Sequence, residues 1–182
     1  LIFLYSCSAF GQAVVFIPVT PLKKIALRKV YVFLAVVLIA VSFSGCLKDK
    51  SCRPRSVQSE APQIEAYATL KGFNVIKHSS GLYYEILDPG TGAIPTDNSR
   101  ITITYRGELL DGYVFDQMTS PNTEPWYLAN LIEGWRIGVP LIKAGGRIRL
   151  IIPSAQAYGC SQVGVIPPDA PLFFDISLIN VQ

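Results

Sequence analysis

The sequence predicts an α+β domain, several antiparallel strands around one short helix, over about residues 63–182. Three observations point there. Leu82–Leu87, Ile101–Arg106, Arg147–Ile152 and Leu172–Leu178 each alternate apolar with polar or aromatic residues, the period of two of a strand with one face in a core. Among them only Asn130–Val139 has helical spacing. Clusters such as Pro89-Gly90-Thr91-Gly92 and Lys143-Ala144-Gly145-Gly146 supply the turns between. Strands in succession with a single helix among them make an α+β layer rather than alternating βαβ units, and no internal repeat is visible.

In chain order, Ile64–Leu70 places Ile64, Tyr67 and Ala68 on one helical face, and Lys71-Gly72 stops it, so a short helix is expected outside the main sheet. His78 follows beside a Ser-Ser-Gly turn and reads as an exposed loop residue. Strand Leu82–Leu87 comes next, then the stretch Ile101–Asp116. There Ile101, Ile103 and Tyr105 alternate with Thr102, Thr104 and Arg106. Leu109-Leu110-Asp111-Gly112 turns the chain, and Tyr113–Asp116 returns as a second short strand, so Tyr105, Phe115 and Asp116 meet at one end of a hairpin. A loop over Thr119–Glu124 leads to Trp126-Tyr127-Leu128. In Asn130–Val139, Asn130 with Glu133 forms a capping-box pattern, Ile132 and Trp135 share a face, and Gly134 allows close approach to another element at ~1 kcal/mol of helix stability. Strand Arg147–Ile152 turns Ile148, Leu150 and Ile152 inward. A long loop, Pro153–Pro168, ends in two prolines that stiffen its exit. Leu172, Phe174, Ile176 and Leu178 point inward from the closing strand.

Composition separates a leader from this domain. Half of the 182 residues are hydrophobic, with the apolar weight in the first 46. Of 16 basic residues, Lys23, Lys24, Arg28 and Lys29 precede Cys46, whereas all 13 acidic residues follow it. The remainder is close to neutral, so the basic balance belongs to the leader and says little for nucleic acid, which needs a basic patch on the folded part; no nucleic-acid partner is expected. Cys7, Cys46, Cys52 and Cys160 form no C-x-x-C or Cys/His cluster, and His78 is the only histidine, so no metal site is expected. The same lone histidine leaves a hydrolase triad without its base.

Lys23–Lys29 followed by the apolar run to Val41 reads as an export signal too short to span a bilayer comfortably, which takes ~20 residues. Ser42-Phe43-Ser44-Gly45-Cys46 then resembles the lipobox of bacterial lipoproteins, with Phe43 in place of the usual leucine, and implies lipidation of Cys46. An ordinary signal anchor with an incidental cysteine is the competing reading. Residues 1–21 are uncharged and apolar. The preferred reading is translated sequence upstream of a start near Leu22; the other is a first membrane helix carrying Gly11, Pro18 and Pro21. After Cys46, Leu47–Pro62 is mixed in charge and rich in Ser and Pro, and reads as a flexible tether. Cys52 and Cys160 are free to pair in an oxidising compartment, but a disulfide from a tether is the minority expectation and the sequence does not fix it.

ITITYRGELLDGYVFD resembles the V-x-Y-x-G-x-L-x-D-G-x-x-F-D signature of FKBP-type peptidyl-prolyl isomerases. The later segments Leu131-Ile132-x-Gly134-Trp135, Ala157-Tyr158-Gly159, Val165-Ile166-Pro167-Pro168 and Phe173-Phe174-Asp175 follow in the family's order and approximate spacing. Taken singly, Trp135, Phe115 and Phe174 read as core, Tyr158 as a loop residue and Asp116 as a turn acceptor; their combined spacing points to a site. The resemblance implies an FKBP-like curved antiparallel β-sheet wrapped around one short α-helix, with a pocket between them. It makes Trp135 the floor and Tyr105, Phe115 and Phe174 the walls, with Leu131 and Ile132 on the rim, where the Ile132 amide meets a substrate carbonyl. Tyr158 is the anchoring hydroxyl, Val165 and Ile166 the lip, and Asp116 the carboxylate near the rotating bond.

Two departures accompany these matches. Glu124 stands where many members have a pocket aromatic, so either Trp126 substitutes in the wall or the pocket is open there. The loop after Gly159 is one residue shorter than in small members. Both bear on affinity for rapamycin-like macrolides more than on isomerase activity. The organisation that follows is a leader at 1–45, a lipid-anchored tether at 46–62, a helix and extension at 63–80 and an isomerase domain at 81–182. The expectation is a lipid-anchored enzyme of the bacterial cell envelope, similar to lipoprotein members in Bacteroidota and placed at the outer membrane, facing the periplasm or the cell surface. It acts as a monomer, without cofactor, on proline-containing exported polypeptides. The alternative is a non-catalytic FKBP-like binding or chaperone module, favoured by Glu124.

Overall fold

A computed structural model describes residues 52–182; the leader, Cys46 and the first part of the tether lie outside the described residues. Strand β1 (Ile76–Lys77), β2 (Tyr83–Asp88), β3 (Arg100–Leu109), β4 (Val114–Met118), β5 (Trp126–Tyr127), β6 (Arg147–Ile152) and β7 (Leu172–Val181) form one antiparallel sheet. Its order is β1-β2-β6-β7-β3-β4, with β5 paired to β3. Helix α1 (Val57–Lys71) precedes the sheet and α2 (Glu133–Gly138) lies between β5 and β6. Among the described residues no helix is long and apolar enough to cross a membrane.

The two faces of the sheet carry separate cores. On one, Ile148, Leu150 and Ile152 of β6 and Leu172, Phe174, Ile176 and Leu178 of β7 join Ile101, Ile103, Trp135 and Val139, the inward sets that alternation predicts. Helix α2 sits close to this face because it presents glycine there: a Cβ on Gly134 would lie 2.4 Å from Ile152 Cγ2, and one on Gly138 would lie 2.6 Å from Leu150. On the other face, Ile64, Tyr67 and Ala68 of α1 pack on Tyr83, Ile151 and Phe173.

Four local expectations are corrected. The predicted tether ends early, since α1 starts at Val57 rather than Ile64. Ser56 caps it, its hydroxyl accepting from the Ser59 amide at 3.3 Å, and Pro62 is accommodated inside the helix. The capping box at Asn130 does not form. Leu128–Asn130 is a separate 3-10 turn closed by the Leu131 amide on the Leu128 carbonyl at 3.1 Å, and extended Leu131 and Ile132 stand between it and α2. Finally, Cys52 and Cys160 are disulfide-bonded across a sequence separation of 108, with Cα atoms 5.5 Å apart. The disulfide, expected to be the minority outcome, anchors the tether to the loop after β6. His78, expected in the open, is half-buried and accepts from the Ser80 amide through Nδ1 at 3.1 Å.

Candidate active site

A cavity of about 110 Å³ opens between β3, β4, α2 and the loop after β6. Trp135 forms one side and is 4 % exposed, as is Phe174. The rings meet edge to face: Trp135 and Phe174 at 5.2 Å and 88°, Phe115 and Phe174 at 5.5 Å and 86°, Tyr105 and Trp135 at 5.3 Å and 83°. Such pairs contribute about 0.5–1.5 kcal/mol each beyond their buried area, so the wall is rigid without a polar scaffold. Alternation along β3 and β7 aims Tyr105 and Phe174 to this side, and the hairpin brings Phe115 and Asp116 beside them, Asp116 facing Gly107 across the β3–β4 ladder.

Gly107 is a site residue that sequence reasoning passed over. A Cβ there would stand 2.7 Å from Phe115 Cζ and 2.9 Å from Phe174 Cε1, so the two rings close over a bare strand position. The signal was available, because glycine inside a strand marks close approach of another group.

On the side of the fourth wall the structure places Trp126 rather than Glu124 at the cavity. It lines the cavity with its ring 6.2 Å from that of Tyr105, while Glu124 lies in an adjoining shallow groove and is exposed. Asn122 sets this arrangement. Its Oδ1 accepts from the Ile103 amide at 2.7 Å, and its Nδ2 donates to the Ile101 carbonyl at 3.2 Å and the Glu124 carbonyl at 2.7 Å, pinning the loop before β5 to the edge of β3.

The polar groups sit at the rim. The Tyr105 hydroxyl donates to Asp116 Oδ2, which fixes the carboxylate on an otherwise exposed residue. Burial, then that hydrogen bond, pushes the Tyr105 phenol well above the ordinary tyrosine range. Tyr158 is raised as well, by burial and then by the Asp116 charge. Both phenols therefore remain protonated donors at neutral pH. Leu131 and Ile132 are half-buried on the opposite rim. The Ile132 amide, unlike those of Leu131 and Trp135, finds no backbone acceptor among the described residues. The indole N–H of Trp135 is buried and also unpaired among them.

Val165 and Ile166 lie beside the mouth, sharing a second depression with Phe115, Asp116 and Tyr158. They differ in exposure: Val165 is 58 % exposed and Ile166 only 5 %, so Val165 alone projects as a lip while Ile166 roots the loop in the core. Nine of the eleven sequence-predicted residues of the domain thus line this cavity, and Val165 and Ile166 line the depression beside it. A wider groove of about 570 Å³ between α1 and Pro167–Pro171 has the larger volume. It lacks the convergent rings and the rim of donors, and concave apolar pockets with a few placed polar groups are what bind ligands. Among the described residues no group of His, Cys, Asp and Glu is arranged to hold a metal.

An antiparallel α+β sheet closed over one short helix, with an aromatic pocket and no metal cluster in the described residues, defines a class of fold that comparison places more closely. Residues 92–179 match the sequence profile of the FKBP-type peptidyl-prolyl cis-trans isomerases. The crystal structure of a peptidyl-prolyl cis-trans isomerase from Pseudomonas syringae superposes with a TM-score of 0.59 at 33 % identity, covering 71 % of this chain and 98 % of that one. FkpA, the FKBP-type peptidyl-prolyl cis-trans isomerase of Escherichia coli, is 39 % identical over 119 residues, 65 % of this chain and 43 % of that protein. A probable 25 kDa FKBP-type isomerase of Pseudomonas aeruginosa is 43 % identical over 111 residues, 60 % of this chain and 48 % of that protein. The chain therefore spans less than half the length of these two curated relatives. It belongs to the FKBP-type peptidyl-prolyl cis-trans isomerase family and has the FKBP fold.

Proposed function

We propose that the chain accelerates cis-trans rotation about X-Pro bonds, holding the proline ring in the pocket of Tyr105, Phe115, Trp126, Trp135 and Phe174. The observation that carries this reading is the edge-to-face closure of these rings around a small cavity whose rim bears the Tyr158 hydroxyl, Asp116 and the free Ile132 amide. The barrier to be lowered is amide resonance, ~18–20 kcal/mol. The two X-Pro isomers differ by only about 0.5–1 kcal/mol, so the problem is rate rather than equilibrium. At the midpoint of rotation the resonance is lost and the carbonyl is less polar than in the planar amide. An apolar enclosure disfavours the planar ground state more than the twisted one, a differential that acts on rate. The Ile132 amide and the Tyr158 hydroxyl hold the chain on either side of the bond, and Asp116, fixed by Tyr105, stands near the turning carbonyl. This scheme needs no acid, base or nucleophile.

The setting follows from the N-terminal side. We place the protein in the cell envelope, lipidated at Cys46 and acting as a monomer on exported polypeptides. The Cys52–Cys160 disulfide supports that reading, because such bonds persist in oxidising compartments outside the cytosol. Two acyl chains would hold it at a membrane surface without a spanning segment. The rival, a non-catalytic binding module, rests on Glu124 as a carboxylate at the pocket rim; Glu124 lines the neighbouring groove, which shares Trp126 with the pocket, and not the pocket itself, which favours the isomerase reading. A protease-coupled assay on X-Pro peptides tests the proposal. Tyr158→Phe, Phe115→Ala and Asp116→Leu each lower kcat/KM while the protein stays folded; unchanged rates in all three remove the site assignment.

A further inference from the structure

The loop that carries Tyr158 is tied down by residues outside the segment matching the family. Glu60 on α1 is 1 % exposed, and a single residue uses both of its oxygens: Oε2 accepts from the Ser154 amide at 2.7 Å and Oε1 from the Ser154 hydroxyl at 2.5 Å. Ser154 is fully buried, and its carbonyl accepts from the Ala157 amide at 3.0 Å and the Gly159 amide at 2.8 Å, the two amides that flank Tyr158. One buried carboxylate thus connects the N-terminal helix to the turn from which Tyr158 projects. No lysine or arginine pairs with Glu60 among the described residues. Its neighbours on the helix, Ile64, Tyr67 and Ala68, are apolar. Burying a carboxylate is costly unless hydrogen bonds satisfy it, so an apolar residue would serve packing at lower cost.

The same arm holds the loop farther along. Cys52 is bonded to Cys160, Pro54 packs against Gly159, and Arg55 Nε lies 3.6 Å from Asp169 Oδ2. The Asp169 amide in turn donates to the Gly159 carbonyl at 2.8 Å, closing the base of the loop. Residues 52–60 therefore grip both ends of the segment that bears Tyr158, Val165 and Ile166.

We propose that residues 52–60 are a latch on the active-site loop and that Glu60 is a positioning residue acting through Ser154 on Tyr158. The proposal rests on the isomerase reading above and deepens it. A hydroxyl that anchors a turning peptide is useful only where its position is fixed, and a displacement near 1 Å can cost about 100-fold in rate. Glu60→Gln preserves size but replaces one accepting oxygen with a carboxamide NH2, which cannot accept from Ser154. Ser154→Ala removes the hydroxyl bond and keeps the amide bond.

The test uses the full chain and two readouts. Amide hydrogen exchange at Ala157 and Gly159 speeds at least about tenfold in Glu60→Gln, as expected when a hydrogen bond to a charged group is lost, and by less in Ser154→Ala, while β6 and β7 exchange as before. In peptide kinetics, Glu60→Gln lowers kcat/KM by about tenfold. On a Tyr158→Phe background the same substitution lowers it by less than about twofold, because coupled residues are not additive. Cys52→Ser, at an exposed position, gives a milder loss of protection confined to the loop and serves if Glu60→Gln is poorly folded. Unchanged exchange at Ala157 and Gly159 in Glu60→Gln and Cys52→Ser overturns the latch. Equal kinetic losses with and without the Tyr158 hydroxyl overturn the positioning role and leave Glu60 a support of stability only. If the unsubstituted chain turns over no X-Pro peptide, the isomerase reading falls and the exchange rates alone decide the latch.

Discussion

Replacing Gly107 with alanine puts a methyl group where two pocket rings meet. Its carbon would lie 2.7 and 2.8 Å from Phe115 ring atoms and 2.9 Å from Phe174 Cε1, whereas carbon contacts settle near 3.5–4.0 Å. Each ring must recede by roughly 0.6–1.3 Å to restore ordinary contact. Gly107 does not occupy the left-handed region, so the substitution adds no backbone strain. The clash is therefore the whole of the unfavourable change. Overpacking of this kind costs about 1–3 kcal/mol. The stiffer unfolded chain returns about 0.4–1 kcal/mol, so at the midpoints of the two ranges a net destabilisation of about 1.3 kcal/mol is expected. Both rings also line the cavity, so their displacement reshapes a space of only about 110 Å³. Thermal and denaturant unfolding measure the first effect. A coupled X-Pro assay measures the second, with kcat/KM expected to fall about tenfold or more, or roughly 1.4 kcal/mol of transition-state stabilisation. Lowered stability with full activity would refute the placement of proline between these rings. Unchanged stability would refute the contact geometry itself.

Other outcomes follow from the same structure. Phe115→Ala deletes a half-buried wall and should raise KM strongly while costing about 1–3 kcal/mol of stability, less than for a fully buried ring, readable by peptide kinetics and urea unfolding. Burial pushes the Tyr67 phenol up to about 12. Above pH 10 the unfolded chain loses that proton while the folded one keeps it, so stability falls as pH rises from 10 towards 12. Tyr67→Phe should make this alkaline limb shallower in pH-dependent unfolding, leaving the share of the other raised phenols, Tyr105 and Tyr158 among them. Reduction of the Cys52–Cys160 bond releases a loop closed across 108 residues, and the chain-entropy argument sets the loss at up to about 4.7 kcal/mol. Unfolding with and without reductant checks it, and Cys52→Ser should remove the difference.

The features legible in the sequence are those written over short distances. Alternation needs only neighbouring residues, so the faces of β3, β6 and β7 and the convergence of Tyr105, Phe115 and Asp116 could be read from the chain. Gly134 was legible as a close approach for the same reason, and its neighbour proves to be Ile152. The extent of α1 was obscured because Ser, Pro and charge in 47–62 resemble a linker, although Ser56 is an ordinary N-cap. Asn130 and Glu133 had the spacing of a capping box, but the 3-10 turn at Leu128–Asn130 takes up Asn130, and Glu133 opens α2 with Ile132 at its N-cap. The links that bind the N-terminal arm to the site join positions far apart in the chain. Glu60 reaches Ser154 across 94 residues and Cys52 reaches Cys160 across 108. Only the course of the folded chain brings such pairs together, and no local spacing announces them. The choice between Glu124 and Trp126 likewise depended on how Asn122 folds the loop back onto β3.

Two-dimensional NMR exchange spectroscopy on an Ala-X-Pro peptide mixed with the full chain tests the central claim most directly, because it follows the rotating bond without a coupling protease. The uncatalysed bond turns over in tens to hundreds of seconds at 25 °C. The account predicts cis-trans exchange cross-peaks at substoichiometric protein, with a rate that depends on the residue before proline and is lost in Phe115→Ala. A folded protein that binds the peptide and leaves its isomers in slow exchange would contradict it.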